Sequence, residues 1–270
     1  MTEIDAGRLT RELTSTYARI DVVPSTGSTN ADLVAAVAAG APDRAVLIAE
    51  AQTAGVGRRA RTWASPKGTG IYLSVLLRPR EVAFSDIGSL AIVAGLAAMD
   101  LTTGLGVDAA LKWPNDVLAG PDRGKCAGIL AEAVAGDELA VVLGIGLNIR
   151  PLGQDVPAAP GGLRPTSLAE HGASTTDRTE IALRLLRAFA EREVRWRAAR
   201  GNLATAGLLA DYRAHCETLG RQVRVLLPGD ESLVGTAEDV DSSGQLILVS
   251  GDGHRHTVFA GDVVHLRAVG

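Results

Sequence analysis

Apolar positions follow three rhythms along this chain. Val46-Leu-Ile-Ala49 and Gly70-Ile-Tyr-Leu-Ser-Val-Leu-Leu77 are short, nearly unbroken apolar runs, which predict strands. Ile181, Leu185 and Phe189 recur at i, i+4 and i+8, the spacing of one helix face. From Gly220 onward the period drops to two. Val223, Val225 and Leu227, then Leu246 and Leu248, then Val264 and Leu266 alternate with polar residues, and Asp241-Ser-Ser-Gly244 and Gly251-Asp-Gly253 read as hairpin turns.

The remaining elements fall between these markers. Residues 1–20 predict a short helix and a lead-in, followed by Val22-Val23 and the polar turn Pro24–Asn30. A helix is predicted next, capped by Ser28, Thr29 or Asn30, with Leu33, Val34 and Val37 on one face. Residues 86–104 suit a buried helix that stops at Gly104, and 109–113 suit a strand ended by Pro114. Lys125–Val134 and Leu139–Leu147 read as two strands joined by a Gly136-Asp137 turn. Four prolines and three glycines between 151 and 165 predict a long loop. Asp177 and Glu180 have capping-box spacing before the next helix, Gly201 suits its end, and a second helix is predicted from about Leu203 to Thr218. Strands and helices are mixed up to about residue 219 and strands stand alone after it. The chain therefore divides into an α/β (α+β) unit over 1–219 and a small all-β unit over 220–270.

Composition narrows the class. A chain of 270 residues with 46% hydrophobic residues can bury a full core, and with aromatics at 3% that core is mainly Ala, Val, Leu and Ile. The formal net charge of −4 lacks the basic excess with which proteins hold nucleic acid by its phosphates, so no nucleic-acid partner is expected. Cys126 and Cys216 form no Cys-x-x-Cys, which argues against a structural zinc site or disulfide framework and fits a reducing cytoplasm. The start, Met-Thr-Glu-Ile-Asp, lacks the basic and apolar segments of a secretory signal. The longest apolar stretch, near Leu90–Met99, falls short of the ~20 residues that span a bilayer. A soluble cytoplasmic protein with no membrane partner is expected.

Candidate chemistry lies in a few short segments. In Gly55-Val-Gly-Arg-Arg-Ala-Arg61, glycines let backbone N–H groups approach an anion, and Arg58, Arg59 and Arg61 could grip a polyphosphate through their planar forks. The same segment also reads as a solvated basic turn. Lys112-Trp-Pro-Asn-Asp116 places a lysine and a carboxylate on one proline turn, suited to phosphate and to Mg²⁺, or equally to a turn whose Asp caps backbone. Gly124-Lys125-Cys-Ala-Gly128 sets one lysine before a glycine-containing strand. Gly144-Ile-Gly-Leu-Asn148 ends an apolar strand with two glycines and an amide. His254 and His256 share a strand face beside Asp252, but no third well-spaced ligand accompanies them.

Taken in order, Ser28-Thr-Asn30, Gln52 to Trp63 with its arginines, Lys112–Asp116, Gly124–Leu130 and Gly144–Asn148 together resemble the bacterial biotin–protein ligases. The Gly220–Arg267 segment is similar to their small C-terminal SH3-like barrel. The similarity runs over nearly the whole chain from about residue 20. It implies a catalytic domain related to class II aminoacyl-tRNA synthetases, with a mixed, largely antiparallel sheet. It also implies a two-step activity. Biotin carboxylate attacks the α-phosphate of ATP, giving biotinyl-5′-adenylate and pyrophosphate; a lysine of a biotin carboxyl carrier domain, in an acyl-CoA or pyruvate carboxylase, then attacks the mixed anhydride.

Carried onto this sequence, the resemblance implies that Ser28, Thr29 and Gln52 face the biotin ureido ring and that Gly55 lies at its carboxylate end. Arg58 and Arg61 would contact phosphate, and Trp63 would wall the site. Lys112 and Lys125 would stabilise the carboxylate and α-phosphate charge. Asn115, Asp116 and Asn148 would serve the nucleotide and Mg²⁺, with Asp116 as the metal ligand. Gly128, Gly144 and Gly146 would leave room for biotin or the adenylate. Two departures stand out. The family loop reads Gly-Arg-Gly-Arg-x-Gly-Arg, whereas here Val56 replaces an arginine and Ala60 a glycine, and Ala60 is expected to resist a positive φ. Only 27 residues precede Ser28, too few for the winged-helix domain of the DNA-binding family members. The competing expectations are a lipoate–protein ligase, and a non-catalytic biotin- or nucleotide-binding regulator.

Overall fold

The computed structural model of the chain describes residues 3–64, 66–136, 138–153, 156–158, 162–227, 231–259 and 261–266. Helix α1 (Ala6–Leu13) is capped by Asp5, whose side chain accepts from Arg8 N, and leads into strand β1 (Arg19–Val23). Helix α2 (Thr29–Ala38) is capped by Ser28, one of the three candidates read from sequence, whose side chain accepts from Ala31 N. Strands β2 (Ala45–Ala49) and β3 (Gly70–Leu77) follow as read from the apolar runs. Helix α3 (Leu90–Gly104) is entered through a 3-10 stretch, Phe84–Ser89, where one continuous helix was expected. Then come β4 (Ala109–Lys112), β5 (Asp116–Ala119), β6 (Gly124–Val134) and β7 (Ala140–Asn148). Helix α4 (Arg178–Ala198) is capped by Asp177, which accepts from Thr179 N and Glu180 N. Glu180 does not close the reciprocal box, because its carboxylate is paired with Arg8 and Arg184.

Two expectations change here. Strand β5 was not predicted: Pro114 does not end a strand pair but sits in the turn of a hairpin that brings Lys112 opposite Asp116. The predicted helix from Leu203 to Thr218 is shortened to α5 (Leu209–His215). Gly207 just before it takes φ +67, where a Cβ would meet the Arg195 guanidinium. Asp137 of the predicted turn, residues 154, 155 and 159–161 of the predicted loop, and Arg267 onward lie outside the described residues.

The first seven strands form one sheet in the order β1-β2-β3-β7-β6-β5-β4, antiparallel except for the parallel β1–β2 pair. Alternation decides what each face meets. Val46 and Ile48 of β2, Ile71, Leu73 and Val75 of β3, and Val141, Leu143 and Ile145 of β7 join the main core with α3 and α4. Ala45, Leu47, Leu76, Ala140 and Val142 face the other way and pack with Leu33 of α2. The stretch Phe84–Gly104 is long and apolar enough to cross a bilayer, longer than the run read from sequence, but it is a core helix packed against α4 and the sheet.

The C-terminal strands β8 (Gln222–Leu226), β9 (Ser232–Val240), β10 (Leu246–Ser250), β11 (Arg255–Val258) and β12 (Asp262–His265) form an antiparallel sheet in the order β11-β10-β9-β8-β12. This is the expected small all-β unit, and among the described residues no ladder joins β11 to β12 to close it. Val223, Val225, Leu246 and Leu248 join the same buried cluster as the large sheet. Polar ties reinforce that contact: Trp113 Nε1 donates to Gly244 O at 2.9 Å, and Trp113 N to Thr218 Oγ1 at 3.0 Å.

Candidate active site

The site is built on the α2 face of the large sheet, where β3, β7 and β6 lie side by side. Two cross-strand rows form its floor: Ser74–Gly144–Leu130 and Tyr72–Gly146–Gly128. Three of these six positions lack a side chain, which leaves a trough. Two large side chains enter it. A Cβ added at Gly144 would lie 2.9 Å from Asn30 Cγ, so Asn30 at the start of α2 already occupies that space. A Cβ at Gly146 would lie 2.5 Å from Trp63 Cε2, and one at Gly128 3.0 Å from Trp63 Cζ3. These glycines make room first for the protein's own side chains. Beside them, Thr29 N and Oγ1 reach Gln52 Oε1 at 2.9 and 3.1 Å.

Residues 55–63 fold over the trough as a small hairpin. Gly57 N donates to Arg61 O at 2.7 Å and Trp63 N to Gly55 O at 2.8 Å. Arg59 and Ala60 both take a left-handed backbone, with φ 54 and 56. The expectation that Ala60 resists a positive φ is therefore corrected: the residue adopts it, at a steric cost that glycine would not carry. Val56 pairs with Thr62 and leaves its side chain half exposed. The three arginines converge on Asp262 of the C-terminal sheet. Arg61 hydrogen-bonds its carboxylate, and Arg58 Nε and Arg59 Nη1 lie 3.8 and 3.6 Å from it.

The two lysines come from β6 and β4, and the carboxylate between them, Asp116, from β5. Lys125 of β6 lies 2.6 Å from Asp116 Oδ1, with its ammonium 5.3 Å from the Trp63 ring centroid, within cation–π range. Lys112 of β4 lies 3.9 Å from Asp116 Oδ2. Burial pulls the Lys112 ammonium below the ordinary lysine range, Asp116 pulls back, and Lys125 adds a further downward push. Asn115 Nδ2 donates to Ile129 O at 2.8 Å and Asn148 Nδ2 to Thr166 O at 3.0 Å, so both amides tie strands and loop together as well as lining the site.

One cavity of about 520 Å³ brings together Ser28, Thr29, Gln52, Arg58, Arg61, Trp63, Lys112, Asn115, Asp116, Lys125, Gly128, Gly144, Gly146 and Asn148. That volume suits a small-molecule site. Gly55 is not among the lining residues; its carbonyl anchors Trp63 instead.

Known proteins similar to this chain point to one family. The biotin/lipoate A/B protein ligase family matches residues 22–148, and a biotin protein ligase C-terminal domain matches residues 218–266. A biotin–[acetyl-CoA-carboxylase] ligase of Mycobacterium tuberculosis is 47% identical over 259 residues, covering 94% of this chain and 91% of that one. The chain belongs to this ligase family. A second biotin–[acetyl-CoA-carboxylase] ligase, from Paracoccus denitrificans, is 34% identical over 88% of this chain and 97% of its own. Among solved structures, the biotin protein ligase of Aquifex aeolicus in complex with biotin and ATP superimposes with a TM-score of 0.74 at 25% identity, covering 93% of this chain and all of that one.

Within the ligase cavity, sequence reasoning missed Asp262 and Val263, which arrive from the far end of the chain. Nothing local marks Gly261-Asp262 as part of a site some 200 positions upstream. Asn30 was read as a possible cap and as part of the Ser28-Thr-Asn30 segment, with no role of its own in the site. The acidic residues lining the cavity, Asp116 and Asp262, are each already paired with cations, and among the described residues no cluster of three or more His, Cys, Asp or Glu side chains is placed to hold a metal. A Mg²⁺ shared with nucleotide phosphates and water would need only one such carboxylate from the protein. His254 lies 3.0 Å from Asp252, and Ser250, which hydrogen-bonds Asp252, lies 3.2 Å from His256, so these side chains close their own hairpin turn.

Proposed function

We propose that this chain is a biotin–protein ligase that activates biotin with ATP to biotinyl-5′-adenylate and transfers biotin to a lysine of a carboxylase carrier domain. One observation carries the reading: a polar patch (Ser28, Thr29, Gln52) at one part of the cavity and two lysines with an arginine hairpin at another, joined by a glycine-floored trough. Such a cavity accepts a polar ring at one end and a carboxylate next to a phosphate at the other. Lys125 and Lys112 balance charge growing between the carboxylate and the α-phosphate, and Arg58 and Arg61 exchange Asp262 for phosphate oxygens. Asp116 sets the two ammonium groups in place, and Asn115 and Asn148 face the nucleotide. No protein nucleophile is needed, because the biotin carboxylate and then the carrier lysine supply it. Magnesium fits as ATP's companion ion, held by phosphate oxygens and water. The acceptor is the carrier domain of acetyl-CoA carboxylase, with pyruvate carboxylase a further candidate, and the compartment is the cytoplasm.

Biotin-dependent ATP–pyrophosphate exchange tests the reading, with lipoate as the control substrate. Exchange with biotin, absent with lipoate, is expected, and Lys125→Ala should lose about two factors of ten or more while retaining its fold. Exchange driven by lipoate, or near-normal exchange in Lys125→Ala, refutes the assignment.

A further inference from the structure

The hydrogen bonds beneath Thr29 form one directed chain. At its far end Asn30 Nδ2 donates to Glu132 Oε2 at 2.5 Å and, at longer range, to Leu130 O at 3.4 Å. That settles which amide atom faces Ser74: Asn30 Oδ1 is the acceptor, and it takes the Ser74 hydroxyl proton at 2.6 Å. Ser74 has one proton to give. Its oxygen, 2.8 Å from Thr29 Oγ1, therefore meets Thr29 as an acceptor, and the proton of that bond comes from Thr29. The other acceptor within reach, Gln52 Oε1, is farther away at 3.1 Å and already takes the Thr29 N–H. The shorter bond to Ser74 is therefore the one that fixes the Thr29 proton within the protein, and the hydroxyl presents a lone pair to the cavity.

Burial keeps this order intact. Ser74 is fully buried, Thr29 is 3% exposed and Asn30 6% exposed, so water does not compete for these groups. The register explains why the chain can form. Asn30 lies over Gly144, reaching Ser74 on the neighbouring strand to one side and Glu132 on the strand to the other. A side chain at position 144 would break the span.

The geometry points to Ser74, Asn30 and Glu132 as positioning residues that hold the Thr29 hydroxyl as an acceptor, so that this part of the cavity selects a ligand bearing an N–H, the cyclic urea head, over a ring of similar size without one. The inference rests on the biotin reading. A dithiolane ring has no N–H to give, so the same chain of bonds disfavours lipoate: a lone pair left without a donor in a dry site costs affinity.

The test compares the full chain with Ser74→Ala, Glu132→Ala and Glu132→Gln in biotin-dependent pyrophosphate exchange. Ser74→Ala should raise the KM for biotin about five- to tenfold, with the KM for ATP and kcat at saturating biotin unchanged. Glu132 is exposed, so Glu132→Ala spares the fold and should move the biotin KM the same way. Glu132→Gln, whose amide oxygen still accepts from Asn30, should bring it back to within about twofold of wild type. The penalty for methylating the ureido nitrogens of biotin should shrink in Ser74→Ala. A biotin KM unmoved in both alanine variants, or equal losses for biotin and ATP, overturns the inference while leaving the ligase reading intact. Wild-type chain with no biotin-dependent exchange overturns both.

Discussion

Replacing Ala60 by glycine should make the arginine hairpin harder to cleave, the reverse of what glycine does in most loops. Ala60 has φ 56 and follows Arg59 at φ 54, two left-handed residues in succession. An L-residue in that region costs about 1–2 kcal/mol, chiefly from the Cβ against the following carbonyl oxygen. Glycine removes this cost at position 60. It also gives the opened loop more freedom, which returns roughly 0.4–1 kcal/mol. The balance favours the closed hairpin by about 0.5–1 kcal/mol, a two- to fivefold shift in population. Trypsin reads that population, because Arg58, Arg59 and Arg61 are its targets and cleavage follows the open fraction when closing is fast. Cleavage in this segment, followed by mass spectrometry, should slow two- to fivefold in Ala60→Gly. Global denaturation should barely move, since the opening is local. Equal or faster cleavage would falsify the left-handed assignment at Ala60.

Three further outcomes follow from the same contacts. Gly144→Ala should weaken biotin binding at least about tenfold by calorimetry, because the new methyl displaces Asn30; wild-type affinity would mean that Asn30 is not seated there. Asp262→Asn removes the charge shared by three arginines whose side chains are 26–40% exposed, so after allowance for solvent screening the hairpin should open about five- to tenfold more often, and trypsin cleavage in wild type but not in the variant should quicken with salt. Burial, with Lys112 and Arg221 nearby, lowers His265 to about 4, whereas an unfolded histidine titrates near 6.5. The neutral folded form therefore contributes stability above about pH 6.5 that is lost as pH falls toward 4. Wild-type Tm should drop more steeply than that of His265→Gln across this window, and parallel slopes would contradict the shift.

How much of this was legible in the sequence depended on the range of the interaction. Strands β2 and β3 and helix α4 were read correctly because their patterns are local: unbroken apolar runs, or apolar residues at i, i+4 and i+8 after an aspartate cap. Strand β5 was missed because four residues after a proline turn carry too little pattern, and its partner Gly124–Gly128 lies across a second turn. The lysines and glycines of the site were visible as motifs, but their geometry was not. Gly144 and Gly146 were expected to make room for ligand, yet the space above them is taken by Asn30 and Trp63, from segments more than 80 residues away. Asp262 left no trace in sequence, because its role depends on how the small sheet packs against the hairpin.

Those two carboxylates give the site its electrostatic logic. Three arginines and two lysines around one partly buried cavity would repel one another strongly if left bare, and burial would push their charge out. Asp262 answers the arginines and Asp116 the lysines, one from each sheet. Two carboxylates against these five cations leave an excess of three positive charges, so the ligand-free site is partly compensated but still cationic, which suits polyanionic substrates. On the proposed ligase reading, an incoming carboxylate and triphosphate would take over part of these ion pairs and also meet the remaining positive charge, so their gain would be smaller than the attraction of five bare cations. This restrains tight capture of stray anions, because a singly charged ion cannot displace Asp262 from three guanidinium groups at once. A triphosphate, with several oxygens in reach, can. Because Asp262 belongs to the C-terminal sheet, such an exchange would also loosen the contact between the hairpin and that sheet, coupling the small sheet to the filling of the site.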